Sequence, residues 1–168
     1  RKLRWRRAPA RLEAEVFRDS ILKVSGRLDE RMFGAGTLDE RMLRRSIYFM
    51  IKRSKLIPSM QLFDSPEPLV SQGSRPATII APQALHFMNN GQVRASAMEL
   101  ARLLKAQPDT AAAVTLGYQT VLGRAPTPKE LKSIGSFIAV QEKSYPNNGR
   151  ELAFADFVQV LFGLNEFI

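Results

Sequence analysis

Along most of the chain apolar residues return at three- and four-residue steps, the period of an amphipathic helix. Leu12, Val16, Phe17, Ile21, Val24 and Leu28 form one such stripe. They predict a helix over Ala10–Val24, opened by Pro9 near its first turn and ended at Gly26. Val93, Ala97, Leu100, Ala101 and Leu104 predict a second stripe over Val93–Ala106, and Val114, Tyr118, Val121 and Leu122 a third over Thr110–Leu122. Pro108-Asp109 stops one helix and caps the next. Thr127-Pro128-Lys129-Glu130 places an N-cap, a first-turn proline and a capping-box glutamate together. The helix it opens carries Leu131, Ile134, Phe137, Ile138 and Gln141. After Asn147-Asn148-Gly149, a last stripe of Leu152, Phe154, Phe157, Val158, Leu161, Phe162 and Phe167 closes a bundle with short connections.

The period fails in the first half. Ser46–Lys52, SIYFMIK, is a continuous β-branched and aromatic run, which reads as a buried strand. Its partner would be Ala77–Ile80, giving a two-stranded ribbon at most. LDERM occurs at 28–32 and again at 38–42, too little for a solenoid. Thr37 and Glu40 form a capping-box pattern that predicts a short helix on the second copy; Gly34-Ala35-Gly36 reads as a flexible connector. Pro58–Asn90 is too rich in Pro, Ser and Gly for one regular element and too apolar for a free linker. It reads as a clasp lying across the helices on either side, with Pro58, Pro66, Pro68 and Pro76 excluding helix across its loop. Pro82 sets a first-turn position for a helix reaching Met88. The expected fold is mainly α: a helical bundle with a long ordered Pro-rich central loop and at most one small β ribbon. Its parts are a basic helical portion at 1–57, the clasp at 58–90 and the bundle at 91–168, together one helical domain.

Charge changes the picture because it is uneven. Residues 1–55 carry 16 Lys/Arg against 7 Asp/Glu, and the rest of the chain is balanced, so the net +9 belongs to the first third. Such asymmetry marks a surface for a polyanion, a face docked on an acidic neighbour, or solvated helices. The opening RKLRWRR could lie on phosphate or lipid, or join a preceding domain. The absence of cysteine removes disulfides, thiolate metal sites and Cys nucleophiles. A single histidine and few acid clusters argue against a catalytic metal in this chain. No apolar run reaches the ~20 residues of a membrane span. A start without Met and an apolar end, NEFI, read as a fragment of a longer protein.

Six blocks in order, LEAEVFRDSILKVSGRLD, RRSIYFMIKR, FDSPEP, SRPATIIAPQALHFMNN, LGRAPTPKEL and VLFGLNEFI, resemble the planctomycete-type domain of unknown function. That domain forms the C-terminal part of large proteins bearing cytochrome-c-like domains, and the resemblance spans nearly the whole chain. It implies upstream domains of the same chain as partners, haem c held by CxxCH motifs in the parent, and export to the periplasm or beyond. This stretch itself would hold no cofactor. The second LDERM segment departs from the pattern, where a shorter connection is expected.

Polar side chains with chemical capacity collect in the clasp and just before it. Arg75 could form a buried pair with Asp64, a bidentate guanidinium on a carboxylate, or could receive an anionic ligand together with Arg18 and Arg53. Arg18 and Asp19 lie at the edge of the first stripe. Thr78 and Gln83 suit the backbone groups of an irregular loop. His86, between Leu85 and Phe87, lacks a partner at a spacing that would orient it as a base and reads as a packed residue. The aromatic and Met positions at 48–50, 60–63 and 85–88 read as core. Glu166 could bridge to Arg124. No GxSxG, HExxH or P-loop spacing occurs. Three functions stand open: a non-catalytic scaffold or interaction module of a haem-associated extracytoplasmic protein, a polyanion-binding module, and part of an active site completed by an upstream domain.

Overall fold

A computed structural model of the chain describes residues 10–168. Seven α-helices occur among them: α1 (Ala14–Val24), α2 (Pro58–Leu62), α3 (Ala81–Asn89), α4 (Gly91–Lys105), α5 (Thr110–Leu122), α6 (Pro128–Ser144) and α7 (Gly149–Phe162). The RKLRWRR arm and Pro9 lie outside the described residues. The fold is the mainly helical one that the periodicity predicts.

Helix α7 is the axis. Ala153, Phe154, Ala155, Phe157, Val158, Leu161 and Phe162 are all fully buried, so apolar side chains point to every side and α4, α5 and α6 pack around it. The close approach of α5 needs Gly117, because a Cβ there would stand 2.8 Å from the Phe157 ring. Two caps sit where the sequence puts them: Asp109 accepts from the Ala112 N–H, and Thr127 with Glu130 forms the reciprocal box. Helix α4 begins at Gly91, ahead of the expected Val93, because the Asn90 side chain accepts from the N–H groups of Gln92 and Val93. Helix α1 lies against α2 and α4, and its Phe17 meets Phe63 and Phe87 at ring separations of 4.3 and 5.3 Å. Val16, placed on the stripe by spacing, is instead 46% exposed. No helix among the described residues is long and apolar enough to cross a membrane.

The segment between α1 and α2 corrects three expectations. Ser46–Lys52 is not a buried strand: Ser46–Tyr48 form one 3-10 turn, and Ile47 and Ile51 are 73% and 82% exposed. Among the described residues Ala77–Ile80 pairs with nothing in a ribbon, and only isolated bridges occur, Asp29 with Arg44, Thr37 with Phe49 and Lys52 with Lys55. The second LDERM opens no helix. Thr37 Oγ1 accepts from the Asp39 N–H in a local turn, and Glu40 reaches forward to α2, accepting from the Ser59 N–H at 2.9 Å and hydroxyl at 2.6 Å. The capping carboxylate is real, but it serves a helix nineteen residues away, and Pro58 begins that helix instead of excluding it. Nor is Gly34–Gly36 a free connector. The Arg44 guanidinium lies over the Tyr48 ring, 3.5 Å from its centroid, and donates to the carbonyls of Arg31, Phe33 and Ala35. At Gly36 a Cβ would stand 2.8 Å from Met50 Cγ and 3.0 Å from the Tyr48 carbonyl, so the two segments touch because the residue has no side chain.

Candidate functional site

The clasp is fastened at its base. Asp64, at φ 62°, accepts from the Thr78 N–H and hydroxyl, both at 2.8 Å. Gln83 is 4% exposed, and its amide nitrogen donates to the Leu62 carbonyl at 2.9 Å. Its oxygen accepts from the Ile80 N–H and from Arg11 at 3.2 and 2.9 Å, while Arg11 also donates to the Thr78 carbonyl. Both ends of the loop are therefore closed on one another by side chains that replace absent backbone pairing. Between these ends, residues 69–82 are exposed.

The expected Asp64–Arg75 pair does not form. Arg75 lies further out and reaches α1, donating to Glu15 at 2.7 and 3.2 Å with Glu13 at 3.3 Å. The sequence offers two acidic residues there that a loop-internal reading passes over. Arg18 and Asp19 make a separate cluster. Asp19 accepts from the Ser46 N–H and hydroxyl at 2.8 and 2.7 Å. Arg18 donates to the Arg44 carbonyl and Ser46 Oγ, both at 3.1 Å, and to the Met42 carbonyl, with its guanidinium 4.7 Å from the centroid of the Phe49 ring. These bonds pin the 42–49 segment to α1. Burial pushes the Arg18 guanidinium below its ordinary value, and the Asp19 and Glu40 charges oppose that. Arg53 stands apart, exposed in the Lys52–Lys55 turn, so Arg18, Arg53 and Arg75 do not converge on one anion.

Three cavities lie near these clusters. One of about 210 Å³ is bounded by Arg18, Glu40, Ser59, His86 and the start of α4. His86 lies edge-on to Phe63 at 5.5 Å and to Phe17 at 6.5 Å. Burial lowers its pKa below the usual imidazole value and Glu40 acts the other way, so it sits there neutral near pH 7. A second cavity, of about 400 Å³, lies between Arg11, Ile79, Ile80, Phe87 and Ile168. The third is a groove of about 440 Å³ lined by Ile47, Phe49, Met50, Ile51, Leu56 and Ile57 together with Arg75 and Glu15. Among the described residues no three His, Asp or Glu side chains gather as metal ligands.

Of the positions read as core, Met60, Phe63 and Phe87 are buried, whereas Met50, Leu85 and Met88 are 50%, 52% and 70% exposed. The bridge from Arg124 to Glu166 is present at 2.6 Å, and the same guanidinium holds Glu130 at 2.8 Å. A cross-link that spacing did not suggest joins α7 to the α3–α4 corner. Arg94 donates to Asp156 and Gln159, both at 2.6 Å, and Gln159 donates to the carbonyls of Phe87 and Met88.

A family model described as a protein of unknown function (DUF1553) matches residues 1–138. No curated protein and no solved structure matches the chain.

Proposed function

The chain belongs to this family of unknown function, and from that premise we propose that it is a non-catalytic interaction module of a multidomain protein. Its clasp-side groove docks against another domain of the parent. The observation that carries this reading is the wall of the groove. Ile47, Met50 and Ile51 stand 73%, 50% and 82% exposed within five residues of chain, around a concave space large enough for two or three side chains. The nearby polar groups support it from the other direction. Asp64, Arg75 and Gln83 are engaged in bonds that hold the clasp loop and Arg18 and Asp19 in bonds that hold the 42–49 segment, and among the described residues His86 makes no hydrogen bond to a carboxylate that would orient it as a base. The haem-associated, extracytoplasmic parent belongs to the same proposal and is supported by the six-block resemblance.

Side-chain footprinting tests it. In the full-length protein, hydroxyl radicals should oxidise Met50 much more slowly than Met88, although Met50 is half exposed in this chain. Ile47→Ser with Ile51→Ser should restore Met50 to the reactivity of an exposed methionine. Equal reactivity of Met50 and Met88 in the unaltered protein would overturn the proposal.

A second reading, polyanion binding, draws on one observation. Residues 41–63 contain six Lys/Arg and no Asp/Glu. Binding to heparin that weakens steeply with salt would support it, because counterion release imposes that slope.

A further inference from the structure

We infer that the groove takes an acidic protein segment with apolar anchor side chains, held at one end by the Lys52–Lys55 turn; the inference rests on the interaction-module reading above. Ile51 and Leu56 both line the groove, and the chain between them is Lys52-Arg53-Ser54-Lys55. The Lys55 N–H donates to the Lys52 carbonyl at 2.9 Å, closing a tight turn whose four residues are all exposed. Three cations therefore stand on the rim directly beside an apolar wall.

The cations of this neighbourhood are not equivalent. Arg41 is paired with Asp39, Arg44 is spent on the 31–35 carbonyls, and Arg45 lies 3.8 Å from Asp19. Among the described residues Lys52, Arg53 and Lys55 make no ion pair, and the Lys55 charge is among the influences holding the Asp39 carboxyl below its ordinary value. The charged lining of the groove itself has the other sign. Arg75 is shared between Glu15 and Glu13, leaving one carboxylate in excess, and Glu67 also lines the groove. The groove is thus mainly apolar with carboxylates of its own, and the three cations belong to the turn joining Ile51 to Leu56. A nucleic-acid strand, carrying regular negative charge along its length, would meet repulsion from those lining carboxylates and gain nothing from the apolar residues. A peptide segment with carboxylates at one end for the turn and aliphatic or aromatic side chains for the groove matches both features. The rim charges set its direction and approach, and the apolar floor supplies the burial.

Carbodiimide coupling of the full-length protein tests this, since it joins a lysine amine to a carboxylate in direct contact. The expected result is a link from Lys52 or Lys55 to an Asp or Glu outside residues 10–168, in a segment that also carries apolar residues. Lys52→Glu with Arg53→Glu and Lys55→Glu should uncover Met50 to oxidation, with docking weakened about tenfold or more from three rim pairs turned repulsive. Lys52→Arg with Lys55→Arg should keep Met50 covered while abolishing the link, because guanidinium does not couple. Links confined to Asp39 would overturn the inference. So would a Met50 that stays covered after charge reversal, an outcome that leaves the interaction-module reading intact. Met50 uncovered by nuclease would assign the groove to a nucleic acid instead. Met50 exposed from the outset would remove both readings together.

Discussion

Gly117→Ala and Gly135→Ala are the same chemical change at mid-helix positions of α5 and α6, and the packing around α7 requires them to have unlike outcomes. In an open helix Ala is favoured over Gly by about 0.8–1 kcal/mol. Nothing lies within 4 Å of a Cβ built on Gly135, so this gain should appear nearly whole. At Gly117 the new methyl would stand 2.8 and 3.2 Å from two carbons of the Phe157 ring and 3.4 Å from Leu104 Cδ1. Carbon pairs rest at about 3.5–4.0 Å, and Phe157 and Leu104 are fully buried, so neither can swing into solvent. Overpacking of this kind costs about 1–3 kcal/mol. The propensity gain is common to both variants and cancels between them. Gly117→Ala should therefore be less stable than Gly135→Ala by about 1–3 kcal/mol, or ~2–12 °C in melting temperature at this chain length. Urea unfolding followed by circular dichroism measures the difference, with an unchanged slope confirming that the unfolded states are comparable. Adding Phe157→Leu, which removes the ring from the contact, should make Gly117→Ala less harmful than it is alone. Equal stability of the two alanine variants would refute the close approach of α5 to α7.

Asp64→Ala removes both bonds to Thr78 and should cost about 1–3 kcal/mol, with faster proteolysis within residues 65–77. Arg75→Gln breaks a bridge whose partners are about one-third exposed and should cost no more than about 1 kcal/mol; a larger loss in thermal unfolding would mean that Arg75 does more than tie the loop to α1. Glu40→Gln loses the charge that caps α2 but keeps an acceptor for Ser59, and should lower stability by about 0.5–1 kcal/mol, with a larger loss for Glu40→Ala. The Arg124 guanidinium, with the Thr127 N–H and hydroxyl, holds the Glu130 carboxyl at about 2. A depressed carboxyl stabilises the fold above its unfolded value near 4.5 and loses that contribution as pH falls towards 2. Glu130→Gln should flatten the acid-induced loss between those values, and carboxyl resonances followed by NMR should place the Glu130 midpoint at about 2.

The C-terminal half was legible in the sequence because its instructions are local. Asp109 and Thr127 each cap a helix that begins at the next residue, and α7 carries its apolar residues on all sides because it is surrounded. In the first half the same residue types act over distance. Glu40 has the spacing of a local capping box but finds Ser59. Asp19 finds Ser46 across 27 residues, and Arg75 finds Glu15 across 60. Spacing rules see the donor and acceptor but not the partner, so Arg75 was assigned to the nearer carboxylate, Asp64. Gln83 and Thr78 were legible as servants of the loop, since an irregular backbone leaves donors and acceptors without regular partners, which polar side chains can meet.

The misread strand is different in kind. SIYFMIK has a composition that elsewhere goes inside, and continuous apolar runs are buried because exposing them costs about 25 cal/mol per Å². Here Ser46 is the buried residue of the 3-10 turn, while Ile47 and Ile51 face outward. The bonds of Arg18 and Asp19 to the 42–46 backbone fix this orientation from α1, and Gly36 fixes it from the other side by admitting Met50. Neither set of contacts would survive turning the run inward. The chain thus spends specific polar contacts on keeping an apolar surface outside, beside three cations without ion-pair partners among the described residues. Departures of this sort from local rules concentrate at functional sites, and an exposed apolar wall that the fold holds in place is stabilised once a second surface removes it from water.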